Sequence, residues 1–173
     1  SYETPLGELI KGIFGRATDK KVNLVVRNNR LPRICTALLA GAGLGITGCV
    51  LQAILRNPLA SASTLGVSQG ASFGAALSLL LNASNQVVQI AAFCMGFVAV
   101  ILTYFSSKRV GRGANMTLLL VLCGLIVGTL FQAFVSIIKY TADPDSKLPE
   151  ITYWLMGSIA KVTWDSLKVF MVP

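Results

Sequence analysis

Residues 34–55 read ICTALLAGAGLGITGCVLQAIL, twenty-two positions without an Asp, Glu, Lys or Arg. A helix needs about 20 apolar residues to cross the hydrocarbon core of a bilayer. In lipid every backbone N–H and C=O must find a partner within the protein, and a helix supplies those partners inside one segment. The stretch therefore predicts a membrane-spanning helix. Working outward, residues 63–81, 86–106 and 116–138 predict three more. Asn57, Pro58 and Ser61 form the first turn, and Asn82 to Asn85 the second. Connections this short make consecutive spans antiparallel neighbours.

Composition agrees. Of 173 residues, 54% are hydrophobic and only 13% charged, against about 25% charged in soluble domains. The net charge is +8, from 15 basic and 7 acidic residues. A nucleic-acid binder would cluster basic residues with aromatics on a water-facing surface. Here Arg30, Arg33, Arg56, Lys108, Arg109 and Arg112 sit at the ends of apolar runs, and no acidic residue lies between Asp19 and Asp143. Nucleic acid is therefore set aside.

Several absences narrow the chemistry. There is no histidine, which removes imidazole-based metal sites and acid–base catalysis. The acid-free middle excludes paired carboxylates there, and no phosphate-cradling G-x-x-x-x-G-K-[ST] loop occurs. Cys35, Cys49, Cys94 and Cys123 lie inside apolar runs without a C-x-x-C pair and read as packing residues. Gly43 to Gly48 matches G-x-G-x-x-G, but a dinucleotide site needs a preceding strand and an acid about 20 residues on, and neither is present. No metal site and no cofactor is expected.

Ahead of the spans, residues 1–29 are polar. Thr4 and Pro5 look like a helix cap and first-turn proline. Leu6, Leu9, Ile10, Ile13 and Phe14 recur at helical spacing, predicting a short amphipathic helix that ends near Gly15. Residues 30–173 are the transmembrane portion. After the fourth span, residues 139–166 are polar, with a short helix predicted over Glu150 to Ile159. A further apolar run opens at 167–173. The first residue is Ser1 rather than Met, so the sequence reads as part of a longer protein. Gly41, Gly45 and Gly48 share a helix face, as do Gly66, Gly70 and Gly74, and Gly124 with Gly128. Such small-residue rows let helices approach closely in lipid.

The stretch Arg30 to Ala71 is more particular. It contains Arg30-Leu31-Pro32-Arg33, Gly41-Ala42-Gly43-Leu44, Gly48, Gln52, Asn57-Pro58-Leu59-Ala60 and Leu65-Gly66-Val67-Ser68-Gln69-Gly70-Ala71. A second block reads Tyr153-Trp154-Leu155-Met156-Gly157-Ser158, followed by Trp164. In order and spacing these resemble the permease subunits of bacterial ABC importers for iron-siderophores, haem and cobalamin. The resemblance runs from about Val22 onward. It implies an all-α polytopic transmembrane helix bundle, the type II importer permease, with about four complete spans corresponding to spans two to five. It also implies an inner-membrane location and no covalent chemistry in the chain. The expected partners are a second permease copy or paired homologue, cytoplasmic ATPase subunits, an extracytoplasmic substrate-binding protein and membrane lipid.

Orientation carries a conflict. Lys20, Lys21, Arg27, Arg30 and Arg33 flank the first span on one side; Arg56, Lys108, Arg109 and Arg112 lie on the other. The positive-inside rule mildly favours the first side as cytoplasmic. The resemblance implies the reverse and is preferred. It makes residues 1–29 and the 139–166 loop extracytoplasmic, and gives Arg30 and Arg33 a reason to be outside: at matching family positions, arginines pair with carboxylates of the binding protein. A guanidinium fork suits that task; snorkelling at a span end is the plainer reading. The resemblance also implies a cytoplasmic gate at Asn57 and Leu59, and at Asn115, Met116 and Thr117. A bare helix connection would need Asn-Pro equally.

Gln52 and Gln69 are polar residues near span ends, suited to a pathway or to interhelical hydrogen bonds. Tyr153, Trp154 and Trp164 read as interfacial anchors, and the Tyr153–Gly157 segment as a surface or re-entrant helix. Asp143, Asp145 and Glu150 make the last loop acidic without metal-ligand spacing. A secondary transporter or channel half would want an ionisable residue within a span to couple an ion gradient. None of the four spans has one. The leading expectation is an importer permease, with an iron-siderophore as the default cargo.

Overall fold

The computed structural model describes residues 6–13, 20–58, 60–110, 116–160, 162–164 and 167, and among them every regular element is a helix. They fall into two compact units: residues 1–44 with 158–173, and residues 45–157.

The first unit holds α1 (Leu6–Ile13), α2 (Lys20–Val25), one π turn (Val26–Arg30) and the start of α3 (Leu31–Leu55). α1 is the short helix expected from the sequence; its predicted cap at Thr4 and Pro5 and its end near Gly15 lie outside the described residues. α1 meets the next turn closely at Gly12, where a Cβ would stand 3.2 Å from Val26 Cγ2. Val22 and Val26 are buried. The π turn follows from Pro32. In an α-helix its ring would strike the Asn28 carbonyl and offer it no N–H. The chain winds one residue wider instead, and the Leu31 N–H reaches the Val26 carbonyl, five residues back.

The second unit holds the remainder of α3 with α4 (Val67–Leu80), α5 (Asn85–Val110), α6 (Met116–Thr141) and α7 (Lys147–Met156). α4 touches α5, α6 and α7. A Cβ on Gly70 would lie 2.6 Å from the Met95 carbonyl oxygen and 2.7 Å from Ala99 Cβ, and one on Gly74 would overlap the Ala91 carbonyl. Rising numbers on α4 meet falling numbers on α5, so the two run antiparallel. Phe73 stacks at 5.6 Å on both Phe131 and Phe134, and Gly66 meets Gly124 and Gly128, so α6 runs parallel to α4. Ala75, Ala76 and Leu79 of α4 close the far end with Val88, Ala92, Ile138, Ala142 and Ile151.

α5 and α6, at 26 residues each, match the third and fourth predicted spans and extend slightly beyond them. α4 is shorter than the predicted 63–81: its 14 residues rise about 21 Å, less than the ~30 Å hydrocarbon core. The missing turn is tertiary in origin. Gly66 sits at φ +79 with its Cα face against the Gly124 and Gly128 backbone, so residues 62–66 coil instead of continuing the helix. Their polar groups are nonetheless met. The Ser61 N–H donates to Thr64 Oγ1 at 2.9 Å, the Thr64 N–H donates to Ser61 Oγ at 3.3 Å, and buried Thr103 donates to the Leu65 carbonyl at 3.1 Å. Non-helical backbone at membrane depth is tolerated where protein covers it. α7 begins at Lys147 rather than Glu150 and stops at Gly157, φ +72.

Of the three glycine rows, the second and third are used at these crossings. The first is not: nothing among the described residues lies within 4 Å of a Cβ at Gly41, Gly45 or Gly48, and α3 exposes Leu38, Leu44, Ile46 and Ile54. The G-x-G-x-x-G match lies wholly within this helix.

α3 ends in a Schellman turn. The Asn57 N–H donates to the Gln52 carbonyl and the Arg56 N–H to the Ala53 carbonyl. Arg56 occupies the left-handed position, φ 45, where glycine is usual. α4 ends the same way with Asn82 at φ 57, and Ala83 and Asn82 donating to the Ser78 and Leu79 carbonyls.

Two outcomes are expected in the full-length protein in detergent. Gly124→Ala forces a methyl into the Thr64 carbonyl and lowers stability by about 2–3 kcal/mol, the cost of overpacking, whereas Gly45→Ala is neutral or stabilising by up to about 1 kcal/mol through helix propensity. Arg56→Gly relieves about 1 kcal/mol of left-handed strain, and Arg56→Ala relieves none. Thermal unfolding monitored by tryptophan fluorescence reads all four variants.

Candidate functional site

The candidate residues gather at the two ends of α3 and in one cavity beside α4. At the C-terminal end, the Schellman turn delivers the chain to Asn57 and Pro58. The Ala60 N–H donates to the Asn57 carbonyl at 3.1 Å, closing a turn with proline at its second position. Ala60 is buried with Leu55 and Leu65, under Leu51, Val67 and Leu120. Leu120 stands one helical turn beyond Met116 and Thr117, so the structure brings the Asn57 turn and the start of α6 to the same end of the second unit. Met116 is exposed and Thr117 half-buried. Leu59 and Asn115 lie outside the described residues.

Gln52 and Gln69, alike in sequence, part company. The Gln52 side chain is exposed, and its role in the fold is carried by its main-chain carbonyl. Gln69 is half-buried, and its Oε1 is buried without a hydrogen-bond partner among the described residues. It lines a cavity of about 280 Å³ with Ser63, Leu125, Gly128, Thr129 and Gln132. Gly128 lies beside it: a Cβ there would meet the amide at 3.4–3.5 Å, an ordinary contact. A cavity of this size with several polar walls can hold water that would satisfy the oxygen. Sequence reasoning did not single out Ser63, Thr129 or Gln132. The available signal was the spacing 125, 128, 129, 132, one face of a helix that carries polar groups in an otherwise apolar span.

At the N-terminal end, Arg30 closes the π turn and is half-buried, while Arg33 lies in the first turn of α3 and is exposed. The Arg33 Nη2 donates to the Ala160 carbonyl. The Trp164 Nε1 donates to the Arg27 carbonyl at 2.7 Å, so Trp164, expected only as an interfacial anchor, also makes a directed bond. Tyr153 and Trp154 are exposed.

The acidic loop is structural. Asp143 accepts from the Ser146 N–H at 2.9 Å and from its hydroxyl, and Glu150 pairs with Lys147 at 2.8 Å. Exposed pairs of this kind contribute little. Among the described residues the four cysteines are free, and no group of His, Cys, Asp or Glu is arranged to hold a metal ion. What the described residues offer is hydrogen-bonding and charged groups at the ends of α3 and in one small cavity.

Comparison with known proteins gives the family. The profile of the FecCD transport family matches residues 1–173. The molybdate import system permease protein MolB of Haemophilus influenzae is 40% identical, covering 99% of this chain and 52% of that protein. The hemin transport system permease protein HmuU of Yersinia pestis is 33% identical, covering 82% and 43%. A solved structure of an ABC transporter of metal-chelate type, in an inward-facing conformation, superposes with a TM-score of 0.80 at 37% identity, covering 96% of this chain and 54% of that one. The chain spans about half the length of the curated relatives it matches. Among the described residues three helices are long and apolar enough to cross a bilayer, and the chain is a multi-pass protein of the plasma membrane. With its profile matched from end to end, it belongs to the FecCD transport family.

Proposed function

We propose that the chain forms part of the membrane-spanning permease of an ATP-driven importer that carries an iron-siderophore, or a haem- or cobalamin-like chelate, into the cell. The observation that carries this reading is α3 itself. One continuous helix of 25 residues, about 37 Å long, bears an arginine pair at its head and the proline-fixed Asn57 turn at its foot. In this reading Arg30 and Arg33 face outward and dock a substrate-binding protein through its carboxylates. Asn57 and Leu59, with Asn115, Met116 and Thr117 at the start of α6, form the cytoplasmic gate. Gln69 belongs to the wall beside the pathway. Hydrolysis of ATP occurs on separate subunits, and a second permease copy or a paired homologue completes the channel. Relatives named for hemin, iron chelatin and iron(3+)-hydroxamate support the chelate.

A second reading for the cargo is molybdate, favoured by the 40% identity to a molybdate permease. Molybdate is an anion, and the predicted spans, with no acidic residue from 20 to 142, present no fixed negative charge to repel it.

In the full-length permease assembled with its ATPase, Arg30→Glu and Arg33→Glu are each expected to weaken docking of the substrate-binding protein at least tenfold, and opposite-charge changes on the binding protein to restore it. Unchanged docking removes the role of this arginine pair. Binding protein loaded with ⁵⁵Fe-siderophore or with ⁹⁹Mo-molybdate, presented in parallel uptake assays, separates the two cargoes.

A further inference from the structure

The head of α3 contains a main-chain carbonyl that its own helix cannot satisfy. In an α-helix the Arg27 carbonyl would accept from the Leu31 N–H, but that donor is given to Val26. In a π-helix it would accept from residue 32, which is proline and has no N–H. Trp164 fills the gap, its Nε1 donating to Arg27 at 2.7 Å. Indole offers that one donor and nothing else, and the bond is exposed, so it contributes the modest net stabilisation of a single hydrogen bond. A second bond runs the other way, from the Arg33 guanidinium to the Ala160 carbonyl. The two contacts flank Arg30, at positions 27 and 33.

We infer that Trp164 is a positioning residue for the docking arginines: its indole N–H completes the turn that Pro32 opens and so fixes the register of Arg30 against Arg33. The π turn inserts one residue, and one residue of register rotates a side chain by about 100° around the helix axis. A turn released by loss of Trp164 presents Arg30 in a different direction from Arg33, and a binding protein that must meet both is then held by one. This rests on the docking role proposed above for the arginine pair.

The test uses the full-length permease with its ATPase in lipid nanodiscs, and measures affinity for the substrate-binding protein together with hydrogen exchange over residues 26–33. The variants are Trp164→Phe, Trp164 replaced by benzothienylalanine (the same shape without the N–H), Pro32→Ala, and Pro32→Ala with Trp164→Phe. Both Trp164 variants are expected to weaken docking about five-fold, the effect of one hydrogen bond, and to speed exchange in the turn. Pro32→Ala returns a main-chain donor, so in that background Trp164→Phe costs nothing further. Wild-type docking by the benzothienylalanine protein, while Arg30→Glu and Arg33→Glu still weaken it, overturns the inference. So does an equal loss from Trp164→Phe with and without Pro32, which would assign the effect to ring packing. If the arginine reversals themselves dock normally, the docking reading falls and the positioning role falls with it, a result separate from the other two.

Discussion

The Met95 carbonyl lies so near Gly70 that even one methyl group would come within 2.6 Å of it. Lipid chains are as apolar as leucine, so water exclusion does not drive these helices together within the bilayer. Close packing does, and only residues without side chains permit it. Gly70 and Gly74 bring α4 onto the α5 backbone, and Gly66, Gly124 and Gly128 bring α4 onto α6. Once those three axes are fixed, Phe73 finds Phe131 and Phe134, Thr103 reaches the Leu65 carbonyl, and Gln69 is held against Gly128 at the edge of a cavity. The polar groups beside this cavity are placed by residues that have no polar side chain.

Departures from regular helix fall where the proposed function needs them. Pro32 forces a π turn at the head of α3, Arg56 holds a left-handed turn at its foot, and Gly66 shortens α4. In each case neighbouring groups supply the hydrogen bonds that regular winding would have given: Trp164 at the first, the Gln52 and Ala53 carbonyls at the second, Ser61, Thr64 and Thr103 at the third. The helices thereby gain turns of fixed shape at their ends without leaving these backbone groups unpaired.

Much of this was legible in the sequence. Apolar runs of about 20 residues dictate spans because bilayer thickness does, and α3, α5 and α6 fall where those runs predict. The glycine rows announced close crossings, although spacing alone could not say which row would meet a neighbour. Gly41, Gly45 and Gly48 have the same periodicity as Gly66, Gly70 and Gly74 and meet nothing described. The shortening of α4 was hidden because it depends on where the Gly124 backbone lies. The Trp164 bond was hidden because it joins residues 137 positions apart, and Pro32 lay ahead of the predicted 34–55 span, so no turn within a helix was foreseen there. Arginines 30 and 33 were legible only through the family motif, since a span end with two arginines is equally a snorkelling site.

The central claim is that α3 carries its arginine pair outside the cell and its Asn57 turn inside, against the count of positive charges. Single cysteines at Asn29 and at Lys108, both exposed positions, in a cysteine-free full-length protein and in intact cells, test it most directly. The account predicts that a membrane-impermeant maleimide labels Asn29→Cys at once and Lys108→Cys only after the membrane is opened. Labelling of Lys108→Cys in intact cells, with Asn29→Cys protected, would contradict it.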